Sequence, residues 1–154
     1  MRGATVQRQM PVNSAQVFEL LHDYDRRLQW DTLLKEARLT RGYEVAGRDA
    51  TSLCVGKPMF GVIGVETRYV SFTPGVIAAV KLVNRPPFFD EFAASIRHED
   101  NGAGSTATYQ FRFRARPRFL RWLLEPIMLR ALRKETANRL EALAAFLGQA
   151  DAAG

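Results

Sequence analysis

The feature that most constrains this fold is a long amphipathic segment near the C-terminal end, from Pro117 to about Leu147. Leucine or methionine recurs there every three or four residues, at positions 120, 124, 128, 132, 140, 143 and 147. This spacing places the apolar side chains along one face of an α-helix. Because such a helix must bury that face, the rest of the chain has to supply a broad apolar surface for it.

Two residues interrupt the regular pattern of this segment. Pro126 cannot donate a backbone hydrogen bond to the carbonyl of Trp122, so we expect a kink or a break there. Gly148 is placed to end the helix. We therefore expect a single domain over residues 1–148 and a disordered tail over 149–154, since the tail offers nothing to pack.

Seven segments ahead of the helix have the composition of β-strands, and turn residues separate most of them. Thr73-Pro74-Gly75 and the sequence EDNGAGS at 99–105 are the clearest turns. In the last segment, aromatic residues at 109, 111 and 113 alternate with polar ones, which is typical of a sheet with one wet face. The predicted strands are Thr5–Met10, Leu33–Thr40, Asp49–Val55, Val65–Phe72, Val76–Asn84, Phe88–His98 and Thr106–Ala115.

A short helical pair separates the first two predicted strands. Asn13 or Ser14 is a suitable N-cap, and the apolar residues at 17, 20, 21 and 24 follow at helical spacing. The next segment, DYDRRLQWD, indicates a second short helix or a turn. The whole order predicts an α+β domain, in which a curved antiparallel sheet of about seven strands surrounds the long C-terminal helix. A sheet that curves away from a helix encloses space between them.

The composition excludes several classes of protein. With 47% hydrophobic and 25% charged residues among 154, the chain resembles an ordinary globular domain rather than a disordered one. No apolar run approaches the roughly 18 residues of a membrane helix, and the start lacks a secretory signal, so we expect a cytoplasmic protein. The lone Cys54 cannot form an internal disulfide, and we expect it half-buried in a strand.

Positive charge is concentrated in one part of the chain. The net charge is +6, and residues 112–139 alone hold nine basic against two acidic residues. Such a field favours nucleic acid, an anionic membrane or an acidic protein, but it is also what a solvated helix face produces. We expect no nucleic-acid partner and, at most, a transient contact with an anionic membrane. Arg130, Arg133, Lys134 and Arg139 are predicted on the solvent side of the helix.

The motifs of common catalytic and phosphate-binding sites are absent from the sequence. With only His22 and His98, a three-histidine metal site is excluded, and we expect both histidines at the surface. We predict no metal and no cofactor. The sequence leaves open which polar side chains point inward. In the strand Val65–Phe72 the inward face carries either Thr67, Tyr69 and Ser71 or Glu66 and Arg68. Asp90 and Glu91 are adjacent, so one of them is expected to point inward.

Aromatic residues are numerous enough to line an apolar cavity, although a solid core would use the same residues. The predicted cavity lies between the sheet and the long helix. Its predicted lining is Trp30, Tyr69, Phe92, Tyr109, Phe111, Met128 and Leu132, with Met59 and Phe60 near the entrance.

Three stretches carry a family resemblance: VNSAQVFELLHDYDRRLQWDTLL at 12–34, VSFTPGVIAAVKL at 70–82 and HEDNGAGSTATYQFRF at 98–113. They resemble the START-like helix-grip superfamily, in its polyketide cyclase/dehydratase-like (SRPBCC) branch. The resemblance implies a carrier or sensor that binds a lipid, polyketide or isoprenoid-like molecule in an internal cavity. It equally allows an enzyme that cyclises or dehydrates a polyketide-like substrate. A third hypothesis, from charge alone, is a surface-interaction protein that uses the basic C-terminal helix.

Overall fold

The computed structural model describes residues 1–56 and 64–153, with side chains described up to residue 149. The predicted entrance residues Met59 and Phe60 lie outside the described residues. The elements are β1 Arg2–Met10, α1 Ser14–Leu21, α2 Arg27–Trp30, β2 Leu34–Thr40, β3 Thr51–Gly56, β4 Gly64–Thr73, β5 Ile77–Leu82, β6 Phe89–Asp100, β7 Ser105–Ala115, a 3₁₀ turn Arg118–Leu120 and α3 Arg121–Ala153.

The strands form one curved antiparallel sheet in the order β1-β7-β6-β5-β4-β3-β2. Every neighbouring pair except β1 and β7 is consecutive in sequence, so local turns join most of the sheet. The helical pair α1–α2 connects the two edge strands, and α3 packs chiefly on β1 and β7. The predicted α+β helix-grip fold is therefore confirmed.

The turns and caps agree with the residues that occupy them. Asn13 is the N-cap of α1, and its side chain accepts a hydrogen bond from the Gln16 amide at 2.9 Å. The predicted turn at 73–75 holds Gly75 at a φ of 77°. In the β6–β7 turn Gly104 has a φ of 152°, and a Cβ there would collide with the Met10 carbonyl. Glycine is required at that position.

The break expected at Pro126 and the helix end expected at Gly148 are wrong, while the kink expected at Pro126 stays a prediction. The helix runs through Pro126, which lies in its second turn on an exposed face, next to Trp122 with 74% exposure. Water can therefore solvate the carbonyl that the proline leaves without a partner. The helix also continues through Gly148 to Ala153. Leu143 and Leu147 are buried just before it, and that packing outweighs the ~1 kcal/mol cost of a glycine in a helix. The disorder predicted for 149–154 stays a prediction.

Two apolar clusters form the core. One lies beneath α1 and the C-terminal half of α3 and contains Val17, Phe18, Leu140 and Leu143 among others. The other lies beneath the first turns of α3 and contains Phe89, Phe111, Phe113 and Met128. The partly buried residues Val80 and Tyr109 contact both clusters. The space between the clusters is where a cavity can form.

Two β-bulges decide which side chains face inward. Up to Tyr69 the alternation of β4 is regular, so Thr67 and Tyr69 are buried while Glu66 pairs with Arg41 on the other face. The register then shifts between Tyr69 and Ser71, and Phe72 packs against the first core cluster. In β6 the register shifts between Phe89 and Glu91. A bulge adds one residue to its strand and changes the alternation. Asp90 and Glu91 are consequently both exposed, and the expectation that one of them points inward is wrong.

Candidate ligand-binding cavity

A cavity of about 200 Å³ lies between the sheet, the helical pair and α3. Its walls combine apolar residues from several elements with a group of polar residues from the α1–α2 connection, α2, β3, β4 and α3. The apolar lining includes Leu21, Val80, Phe89, Phe92, Ile96, Leu132 and Leu140, and the polar lining includes His22, Tyr24, Arg27, Ser52, Thr67, Tyr69, Glu135 and Arg139. The cavity is therefore apolar on some sides and polar on others.

The structure brings four of the predicted lining residues together. They are Tyr69, Phe92, Tyr109 and Leu132. Trp30, Phe111 and Met128 are buried but do not line the cavity. Trp30 packs under the guanidinium of Arg27, at 4.9 Å from the ring centroid, while Phe111 and Met128 belong to the second core cluster. Whether any of these residues binds a ligand stays a prediction.

Five polar side chains form a continuous chain of hydrogen bonds, which we call the hydroxyl chain: His22, Tyr69, Tyr24, Ser52 and Thr67. The distances along it are 2.8 Å from His22 Nδ1 to the Tyr69 hydroxyl, 2.9 Å from Tyr69 to Tyr24, 3.0 Å from Tyr24 to Ser52 and 3.4 Å from Ser52 to Thr67.

The donors along the hydroxyl chain follow from a count of hydrogens. Tyr24 donates its one hydroxyl hydrogen to Ser52, so its contact with Tyr69 is a hydrogen bond only if Tyr69 donates. The Tyr69 oxygen can then accept only from His22, whose Nδ1 must carry the hydrogen. This assignment leaves His22 Nε2 as a bare acceptor, and that atom is buried without a partner among the described residues.

Burial keeps the hydroxyl chain neutral. Desolvation, followed by the charges of Arg27 and His98, lowers the pKa of His22 to about 3. Desolvation also raises the pKa of Tyr69 well above its ordinary value, and that of Tyr24 as well. At neutral pH these groups offer hydrogen bonds and no charge.

A charged cluster, which we call the ion trio, adjoins the hydroxyl chain: Arg27, Asp31 and Arg139. Asp31 Oδ2 accepts from Arg27 Nε at 2.9 Å and from Arg139 Nε at 3.0 Å, and the Asp31 side chain is fully buried. Burial acts to raise the pKa of Asp31, but the Arg139 and Arg27 guanidinium groups outweigh it and hold that pKa below its usual range.

The ion trio corrects the prediction for Arg139. Arg130, Arg133 and Lys134 are exposed as predicted, but the Arg139 side chain is only 19% exposed and is turned toward Asp31. Both arginines of the trio line the cavity, whereas Asp31 does not. The cavity therefore meets the positive members of the trio directly. Glu135 also lines it, and burial raises the pKa of that carboxyl.

The chain matches the protein family described as polyketide cyclase / dehydrase and lipid transport over residues 1–148. It belongs to this family. Among proteins of curated function, no sequence match reaches significance.

Solved structures share the fold at low sequence identity. A protein of Thermus thermophilus superposes with a TM-score of 0.81 at 12% identity, covering 97% of this chain and 99% of that one. The ZhuI aromatase/cyclase from a Streptomyces species gives 0.76 at 14% identity, with 97% and 93% covered. The di-domain aromatase/cyclase StfQ of the steffimycin biosynthetic pathway gives 0.79 at 11% identity, with 97% and 51% covered. At these identities the likeness establishes the fold.

Both histidines of this family member are inside the molecule, so the expectation that they lie at the surface is wrong. His98 is 5% exposed, and burial lowers its pKa to about 4. Its ring meets Phe18 edge-on at 5.7 Å, and neither ring nitrogen has a partner among the described residues. The sequence held a signal for this position, since His98 continues the inward alternation of Phe92, Ala94 and Ile96.

Sequence reasoning predicted Tyr69 and left Thr67 open, but it missed the rest of the polar lining. Tyr24, Ser52 and Thr67 come from three different elements, and nothing in their local sequence marks them as neighbours. Arg27 and Asp31 are four residues apart, which is the spacing of a helical ion pair, and this signal was available. Arg139 lies 108 positions beyond Asp31.

Neither metal chemistry nor thiol chemistry has support in the site. Among residues 1–56 and 64–149, no group of three His, Cys, Asp or Glu side chains is placed to hold a metal ion. Cys54 is a free, half-buried thiol that lines the cavity, and burial raises its pKa. A thiol with a raised pKa is a poor nucleophile.

Proposed function

We propose that this protein binds a compact hydrophobic molecule carrying oxygen groups inside the cavity, and acts as its carrier or sensor. The carrying observation is the mixed lining: apolar side chains from the strands and α3 line the same cavity as the hydroxyl chain and the two arginines. Apolar walls with a few converging polar groups are typical of small-molecule sites.

The polar groups indicate which oxygen groups a ligand would carry. Arg27 and Arg139 share the single carboxylate of Asp31, so one of the two positive charges is not balanced within the trio. A carboxylate, an enolate or a phenolate on the ligand would supply that balance. Hydroxyl or carbonyl groups would match the hydroxyl chain.

The protonation states favour binding over acid–base catalysis. A general base works best when its pKa lies near the working pH. The pKa of His22 is about 3 and that of His98 about 4, while burial moves the phenols of Tyr24 and Tyr69 upward. The pKa values of all four groups are therefore shifted away from neutral pH.

One observation favours a second candidate function, a cyclase or dehydratase acting on a polyketide-like substrate. Glu135 lines the cavity one helical turn before Arg139, and burial raises its pKa. A carboxyl of this kind can exchange a proton at a substrate carbon while the guanidinium stabilises the enolate oxygen. Under this hypothesis Glu135→Gln would retain ligand binding and lose turnover, which separates it from a pure carrier.

The first experiment fills the cavity with a side chain. Leu132 lines the cavity, whereas Leu129, three positions earlier, packs against the second core cluster without lining it. Leu132→Trp is expected to abolish binding of the apolar probe N-phenylnaphthylamine, and the matched Leu129→Trp is expected to retain it. Fluorescence titration and circular dichroism measure binding and folding separately.

A comparison of probes tests the role of the arginines. Anilinonaphthalene sulfonate resembles N-phenylnaphthylamine but carries a negative charge, so it should bind more tightly to the folded protein. Native mass spectrometry followed by organic extraction then identifies what the purified protein retains. Equal binding of either probe by wild type and Leu132→Trp, or no binding at all by folded wild type, overturns the proposed function.

A further inference from the structure

Large apolar side chains are exposed together where α3 begins. Phe119 is 75% exposed, Trp122 74%, Ile127 59% and Leu123 46%. We call these four residues the apolar tip. A cluster of exposed apolar side chains on a folded domain marks an interaction surface, because single exposed residues are common but contiguous ones are not.

Along the exposed face of α3, apolar side chains come first and basic side chains follow. Trp122, Leu123 and Ile127 lie within about 140° around the axis, and the same sector contains Arg130, Arg133 and Lys134. These three exposed basic residues are the basic band. At 1.5 Å per residue, the centre of the basic band follows the centre of Trp122, Leu123 and Ile127 by about 12 Å. Beyond it the face continues as Ala137, Asn138 and Glu141.

The loop beside the tip adds to the same surface. Phe88 is 46% exposed, and its carbonyl accepts from the Arg116 amide at 3.0 Å. The Arg116 guanidinium also donates to the carbonyls of Arg85 and Pro86 at 2.7 Å each. This pairing places Phe88 beside the start of the 3₁₀ turn and enlarges the apolar surface there.

The acidic groups near the tip are paired with groups of the protein itself. Glu125 is 8% exposed, and its carboxylate accepts from the Ala115 amide at 3.0 Å. The exposed Asp90 and Glu91 lie 3.4 Å from Arg121 and 3.7 Å from Arg114. The basic band, by contrast, faces solvent. An approaching surface therefore meets apolar side chains and positive charge at this end of the molecule.

We propose that this end of α3 docks on an anionic lipid bilayer. The apolar tip enters the interfacial layer, where tryptophan is favoured, and the basic band lies at the level of the lipid phosphates. Because the apolar tip precedes the basic band along α3, the helix must be tilted with its N-terminal end toward the bilayer. A helix lying flat on the bilayer would also bring Glu141 to the anionic surface. Among the described residues no helix is long and apolar enough to cross a membrane.

A second copy of the chain fits this surface less well. Two apolar tips packed with their helices parallel would bring the two basic bands together, and like charges at an interface are unfavourable. Packed with their helices antiparallel, they would leave both basic bands without an opposite charge, which an anionic bilayer supplies. The docking surface lies on the outside of α3 and does not depend on what the cavity holds. Failure of the proposed function would therefore leave it standing.

Vesicle co-sedimentation tests the proposal with the full chain. Wild type is expected to bind phosphatidylcholine vesicles that contain phosphatidylglycerol, more weakly as salt is added, and to bind pure phosphatidylcholine poorly. Trp122→Ser combined with Ile127→Ser should abolish binding. Val45→Ser is the matched control, since Val45 is 77% exposed and lies between β2 and β3.

Neutralising the basic band gives a graded result. Each basic residue near an anionic surface contributes about fivefold in affinity. Arg130→Gln with Arg133→Gln should therefore weaken binding about 25-fold. The control pair is Arg8→Gln with Arg48→Gln, at two exposed arginines outside α3, and it should retain the wild-type affinity.

Tryptophan fluorescence reports the depth of the tip. The chain has two tryptophans, and Trp30 is 2% exposed while Trp122 is 74% exposed. Anionic vesicles should shift the wild-type emission to the blue, and Trp122→Phe should bind without that shift. Three results overturn the proposal. The first is no binding to vesicles, and the second is equal binding by the tip variant and wild type. The third is a Trp122 shift that also occurs without lipid, when sedimentation velocity shows self-association or binding to an added acidic protein.

Discussion

The hydroxyl chain and the two arginines of the ion trio line the same cavity, yet the two clusters satisfy their buried polar atoms in opposite ways. The hydroxyl chain stays neutral, and its hydrogen bonds run in one direction from His22 through Tyr69 and Tyr24 to Ser52. The ion trio keeps its charges and balances two guanidinium groups against one carboxylate. Protonation of His22 would disrupt the hydroxyl chain, whereas removal of the Asp31 carboxylate would disrupt the ion trio. The two can therefore be separated by experiment.

The largest effect is expected from removing the one negative charge of the trio. Asp31→Ala leaves Arg27 and Arg139 facing each other beside the cavity without their shared acceptor. Removing one partner of a buried ion pair costs about 3–5 kcal/mol of folding free energy. Urea unfolding measures it, with the exposed Asp25→Ala as the control. A loss equal to that of the control would show that the trio has no structural role.

Acid is expected to act on the histidines rather than on the trio. The folded pKa values of about 3 for His22 and about 4 for His98 lie below the unfolded value, so the unfolded state takes up protons first as pH falls. Stability is fully present above about pH 6.5 and decreases toward pH 4, by about 2 kcal/mol for each histidine at pH 5.

The variant His98→Leu tests how much of this pH dependence comes from His98. His98 has no hydrogen-bond partner among the described residues and lies against Phe18, so His98→Leu should fold and should flatten the decrease between pH 7 and 5 by about half. Unfolding measured across this range in both proteins gives the two slopes. Parallel slopes would assign the acid sensitivity to other groups.

A smaller effect is expected from interrupting the hydroxyl chain. Tyr69→Phe removes the central hydroxyl, so His22 Nδ1 loses its acceptor and Tyr24 loses a donor. Leaving buried polar groups unpaired costs about 1–3 kcal/mol. Tyr43→Phe is the matched control, since Tyr43 is 41% exposed. If the two variants unfold at the same urea concentration, the chain contributes nothing to stability.

The contrast between the two polar clusters also explains what the sequence could predict. The strands and turns were predictable because alternation and glycine or proline placement are local signals, and every strand end falls within three residues of its prediction. The cavity between sheet and α3 was predictable from the opposed apolar faces of β7 and the helix. Of the four predicted residues that line it, Tyr109 and Leu132 belong to this apolar arrangement, while Tyr69 and Phe92 lie on the inward faces of β4 and β6.

The rest depends on contacts that local sequence does not encode. A β-bulge changes the inward parity of a strand by one residue, so the exposure of Asp90 and Glu91 could not be read from alternation. Charged residues are usually exposed, and this prior placed Arg139 in solvent. Its partner Asp31 is distant in the chain, so the fold had to be known before that pair could be recognised.

The smallest effect on stability is expected from the exposed basic band of α3. Arg130→Gln with Arg133→Gln removes two charges of the basic band, and exposed charges contribute little to stability. The melting temperature should therefore change by no more than about 1–2 °C. Arg139→Gln, six residues further along α3, takes one of the two donors from the buried Asp31 carboxylate and should lower the melting temperature more than the double variant does. Differential scanning calorimetry of the two proteins makes the comparison. The reverse order would mean that Arg27 alone satisfies Asp31, and that the second arginine of the trio serves the cavity and not the fold.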